Sequence, residues 1–121
     1  MKHSIRLTEK NIIEIVIDGP VTVNEAVSLG HEGRTIVTKL QDSALPVKVL
    51  LDSTRSPQTM DTEVRNMASI IYKDLPFEKI ASFGAFGAIK DRQEAIFKKA
   101  EKMNQVRFFS NRETAEKWLL E

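Results

Sequence analysis

The sequence predicts a single α/β domain spanning residues 1–121, with a five-stranded, mostly parallel sheet, an antiparallel N-terminal strand and four helices. Three observations carry this expectation. Short apolar, β-branched-rich runs recur along the chain, and each of the last four is followed by a stretch with helical apolar spacing. Three of those stretches open on capping-box spacing: Thr22 with Glu25, Asp91 with Glu94, and Ser110 with Glu113. Strands that alternate with helices imply right-handed crossovers and parallel pairing.

Taken in order, residues 4–8 form a short first strand, and Glu9, Lys10 and Asn11 a polar turn. Residues 11–18 carry Ile12, Ile13, Ile15, Val16 and Ile17, a run apolar enough for a strand covered on both faces. Gly19 and Pro20 stop it. The helix from Thr22 to about Gln41 buries Ala26, Leu29, Gly30, Gly33, Val37 and Leu40. Each of its two glycines costs roughly 1 kcal/mol of helix propensity, which close approach to the sheet would offset. Residues 47–51 form the third and central strand. The second helix starts near Asp61, with Val64, Met67, Ala68 and Ile71 on one face and Pro76 beyond its end. Residues 80–86 form the fourth strand. The helix starting at Asp91 turns Ile96, Phe97, Ala100 and Met103 inward. Residues 106–109 form the fifth strand, and the final helix buries Ala115, Trp118 and Leu119.

Composition narrows the function classes. The net charge is +1 with both signs dispersed, so there is no electrostatic footprint for nucleic acid. Cysteine is absent, which removes disulfides, thiol nucleophiles and thiolate metal sites. No apolar run approaches the roughly 20 residues of a membrane span, and the acidic N-terminal stretch lacks the apolar core of a signal peptide. A cytoplasmic protein, not integral to a membrane, is expected. His3 and His31 share no metal-ligand spacing, and nothing local supports pairing Ser53 with His31 for catalysis. The segment from Gly84 to Asp91 lacks the glycine spacing of a phosphate cradle. No enzyme activity, cofactor or metal is expected. Lys98, Lys99 and Lys102 interleave with Glu94 and Glu101 as on an ordinary solvated helix face.

The chemistry-bearing residues gather after the central strand. Asp52, Ser53, Thr54, Arg55, Ser56 and Thr59 lead to Asp61 and Thr62 at the next helix start. In open α/β sheets, sites form at the carboxyl ends of strands. Arg55, joined by Arg65 one helical turn into the next helix, suits charge recognition. The same hydroxyls are equally suited to satisfying their own loop backbone. Thr62 is a phosphoacceptor candidate because a helix N-terminus favours an anion, while Asp61 beside it has the position of an N-cap. Phe83 and Phe86 at the fourth strand's exit read either as core or as the wall of an apolar crevice.

Two of these patterns give a resemblance. The tail from Val106 to Leu119 is a short strand, a polar cap, then Glu113-x-Ala115-x-x-Trp118-Leu119. An apolar strand ending in Asp52 is followed, after a loop, by Asp61-Thr62. With the element order, these resemble the STAS superfamily, and within it the SpoIIAA-like branch named after a sporulation anti-sigma-factor antagonist. The resemblance implies a non-enzymatic regulatory module. Its partner would be a protein, a kinase or an anti-sigma-like regulator, docked through residues 52–62 and the following helix. In antagonists the equivalent helix start reads Asp-Ser-(Ser or Thr)-Gly, with the first serine phosphorylated; here Thr62 takes that position and Glu63-Val64 follow it. The branch is also similar to lipid-binding domains of the Sec14 type. The alternative is therefore a small apolar or lipid ligand in a crevice between residues 52–61 and 83–87. A homodimer through a helix or strand edge is compatible with either.

Overall fold

The computed structural model describes residues 2–121. Five strands lie side by side in chain order: β1 (Ser4–Leu7), β2 (Ile13–Val16), β3 (Lys48–Asp52), β4 (Lys79–Phe83) and β5 (Val106–Phe109). β1 pairs antiparallel with β2, and every later pair is parallel. The helices are α1 (Val23–Asp42), α2 (Thr62–Asp74), α3 (Gly87–Lys99) and α4 (Arg112–Leu119). The expected fold class and strand polarity are thus those found.

Strand alternation divides the core into two. Ile13, Ile15, Val49, Leu51 and Ile80 point to the face covered by α1, α2 and α3, where they meet Val37, Leu40, Leu75, Phe77 and Phe97. Ile12, Leu50, Ala81 and Phe83 point to the opposite face and meet Ala115 and Leu119 of α4. Each large apolar side chain so buried contributes about 1.5–3 kcal/mol.

The glycines of α1 serve two neighbours. A Cβ on Gly33 would stand 3.3 Å from Ile5 of β1, which is the expected approach to the sheet. A Cβ on Gly30 would stand 2.9 Å from Ile71 Cδ1, so this glycine brings α1 against α2 instead.

Four boundaries differ from the expectation. The fourth strand ends at Phe83 rather than residue 86, because Gly84 turns the chain at φ +80°. α3 consequently starts at Gly87, with Phe86 as N-cap, and Asp91-Glu94 lie within it rather than opening it. Met103 falls outside α3, in a short 3-10 turn. At α4 the cap is Asn111, one residue after Ser110, and its side chain accepts from the Thr114 amide at 3.0 Å. The capping box at α1 forms as read: Thr22 Oγ1 accepts from the Glu25 amide, and Glu25 accepts from the Thr22 amide.

Candidate functional site

The loop after β3 is split by burial. Asp52 holds its own turn, accepting from the Thr54 amide at 3.0 Å and the Thr54 hydroxyl at 2.6 Å. This is the self-satisfied loop chemistry that such residues favour. Ser53 is buried, and its hydroxyl enters a closed ring. Gln93 Nε2 donates to Ser53 Oγ at 2.8 Å, Ser82 Oγ donates to Gln93 Oε1 at 2.7 Å, and the two hydroxyls are 2.9 Å apart. With the Ser82 proton used on Gln93, the Ser53 proton goes to Ser82, so each of the two hydroxyls both donates and accepts. His31 lies exposed on α1, and Ser53 shares no hydrogen bond with it among the described residues.

Thr54, Arg55 and Thr59 are exposed. Arg55 reaches Asp18 at 3.5 Å, an exposed pair of small energetic weight. Its carbonyl accepts from the Gly19 amide at 2.9 Å, tying the loop to the end of β2. Asp61 is the N-cap of α2 by position and makes no side-chain cap hydrogen bond. Thr62 is exposed at the first helical position, where its hydroxyl accepts from Arg65 Nη2 at 3.1 Å.

Beside the loop is a cavity of about 110 Å³. It lies between the sheet and α1, α2 and α3. Ile15 and Leu51 form its floor, Leu29 and Gly30 one wall, and Val64 and Ala68 another. Ser56 and Met60 bring the loop to it. Tyr72 also lines it, edge-on to Phe97 with ring centroids 4.9 Å apart, and burial pushes the Tyr72 phenol above its ordinary pKa. One wall residue is charged. Arg92 lines the cavity, and its Nε and Nη1 are buried with no hydrogen-bond partner among the described residues. Burial, and then the like charge of Arg65, lower the Arg92 pKa from its ordinary value.

The crevice expected at the end of the fourth strand is corrected by this geometry. Phe83 shares the parity of Ala81, so it packs on the α4 face under the Arg112 guanidinium, 5.3 Å from the ring centroid. Phe86 is 65% exposed. Neither lines the cavity, and of the expected loop residues only Ser56 does.

Two polar groups that sequence reasoning did not single out are also buried. Glu14 is 4% exposed and lies between Arg6 Nε at 2.8 Å and Arg112 Nη1 at 2.6 Å. Burial alone would raise its pKa; the hydrogen bonds and charges of the two arginines outweigh that and hold it below the ordinary carboxylate value. His3 bridges the backbone: Nδ1 accepts from the Asp18 amide, and Nε2 is 3.0 Å from the Pro20 carbonyl, which fits the tautomer protonated at Nε2. Among the described residues no group of three His, Cys, Asp or Glu side chains is arranged to hold a metal ion, and no helix is long and apolar enough to cross a membrane.

The architecture is that of the SpoIIAA-like α/β proteins, a class defined here by fold alone. Among solved structures, the chain is similar to an uncharacterized protein from the DUF3478 family with a SpoIIAA-like fold, from Shewanella loihica PV-4. The match has a TM-score of 0.62 at 14% sequence identity, covering 97% of this chain and 91% of that one. No protein-family model matches the sequence, and no curated protein matches it.

Proposed function

We propose that this protein is a non-enzymatic binding module that takes a small apolar molecule into the cavity beneath α1, α2 and α3. The observation that supports this is the cavity itself, walled by Ile15, Leu29, Leu51, Val64, Ala68 and Ile96. Cavity-forming substitutions lose about 24 cal/mol per Å³ of residual volume, so a space this size, partly open to solvent, costs at most about 2–3 kcal/mol when empty. That is a large fraction of the roughly 5–15 kcal/mol by which domains are stable, and an occupant would recover much of it. An apolar cavity of about 150 Å³ takes benzene, which sets the size of the guest at a small ring or a short chain. A long-chain lipid would extend out of it. Titration with benzene, followed by amide chemical shifts, is expected to saturate with changes at Ile15, Leu51 and Ala68. Unchanged spectra at benzene saturation would remove this reading.

A second reading is partner docking through residues 52–62 and α2. It is favoured by Thr62, whose hydroxyl is exposed and already bonded to a cation, Arg65. A phosphate at this helix start would meet first-turn amides and that guanidinium, which offset the repulsion from Glu63. Incubation with kinase-containing lysate should then add phosphate to the wild-type chain and not to a Thr62→Val variant. Equal labelling of both would sink it.

A further inference from the structure

We infer that the molecule held in this cavity is a small anion, an apolar group of about benzene size bearing a carboxylate, whose head is taken by Arg92. The inference rests on the cavity-binding reading above and goes beyond it in assigning the charge and the group that binds it.

Arg92 falls on the inward stripe of α3, three residues after Ile89 and four before Ile96, both buried. Arginines in such positions usually find a carboxylate, because a desolvated charge without a partner is costly. Here none is within ion-pair distance among the described residues, although Glu14, Asp18, Glu101 and Glu116 all have cationic partners. Nε and Nη1 together present three N–H donors with no acceptor. The neighbouring cation, Arg65, adds like charge, and its guanidinium donates to the Thr62 hydroxyl. The Arg92 guanidinium therefore stands in the wall of a largely apolar space that Ser56 also lines. A carboxylate matches its donors and charge, and the apolar remainder of the ligand matches the walls. The small volume selects small acids over fatty acids of membrane length.

Benzoate and benzyl alcohol test this, since they share the ring and differ in charge. Isothermal titration of the wild-type chain should give benzoate about tenfold tighter binding than benzyl alcohol, the least that charge-assisted hydrogen bonds supply. Arg92→Gln and Arg92→Met should erase that preference, so that within each variant benzoate binds no more tightly than benzyl alcohol. Equal affinity of the two probes for the wild type overturns the inference. So does a benzoate preference that survives in both variants. In either case benzene binding would leave the cavity reading standing. Failure of benzene, benzyl alcohol and benzoate alike would overturn both.

Discussion

Glu14 shows how far a single side chain can depart from what its neighbours in sequence suggest. It sits within an isoleucine-rich run and points to the α4 face, where Arg6 and Arg112 both reach it. Two charge-assisted hydrogen bonds make it a clamp between β2, β1 and α4. Replacing it with Gln keeps the shape and removes the charge, which should cost about 1.5–3 kcal/mol at neutral pH. The pH dependence has a definite sign. A carboxyl held below its ordinary value of 4.5 contributes fully above that value, because folded and unfolded chains are then both ionised. As pH falls below it, the unfolded chain takes up the proton first, and the contribution is lost by the time the folded carboxyl is protonated. Urea unfolding of wild type and Glu14→Gln from pH 7 to pH 3 should show the stability gap closing in acid. A constant gap would mean that the clamp acts through shape alone. None of this was legible beforehand, since Arg112 lies 98 residues from Glu14 and only the folded sheet brings them together. Ser53 is a similar case. Its place after the central strand is readable, but whether its hydroxyl faces solvent or Ser82 and Gln93 depends on two other elements.

At the scale of elements, local chemistry predicted helix existence better than helix starts. The Thr22 box was legible because both partners lie within one turn. Asp91 with Glu94 has the same spacing, yet the turn at Gly84 and Gly87 had already begun α3 one turn earlier. The glycines separate two kinds of constraint that sequence alone cannot distinguish. At Gly84 the backbone is left-handed, and a Cβ would lie 2.6 Å from Thr54 Cγ2 and 3.3 Å from Thr54 backbone atoms. Neither can give way without moving the loop, so Gly84→Ala should cost about 1–3 kcal/mol. At Gly30 the backbone is helical, and the obstacle is the tip of Ile71, which borders the cavity and can turn into it. Gly30→Ala gains up to about 1 kcal/mol of helix propensity against that adjustment. Its stability should stay within about 1 kcal/mol of wild type while benzene binding weakens. Thermal melts of the two variants, with and without benzene, separate the cases; a Gly30→Ala loss as large as that of Gly84→Ala would show that Ile71 is not free to move.

For the whole molecule, the strand polarity and the sheet's two-sided covering followed from periodicity and element alternation, but the cavity did not. Its walls come from β1, β2, β3, the loop after β3 and three helices, and a void belongs to none of them. One sequence signal was a charged residue, Arg92, among Ile89, Ile96 and Phe97 on the inward side of α3. The parity of Phe83 with Ala81 was a second signal, and it pointed away from a crevice at that strand end. If the space is kept for a guest rather than left by imperfect packing, then stability and binding should oppose each other there. Ala68, half-buried on α2 and lining the cavity, is the position at which to test this. Ala68→Leu adds three carbons toward the void without changing helix propensity much. Filling it should recover about 1–2 kcal/mol of the cavity cost, which for a chain of this size raises Tm by about 3–8 °C. The same variant should lose the thermal shift that benzene and benzoate give the wild type. A stabilised variant that still responds to both ligands would place the binding site elsewhere. A destabilised one would show that the walls are rigid and the void narrower than a leucine side chain requires.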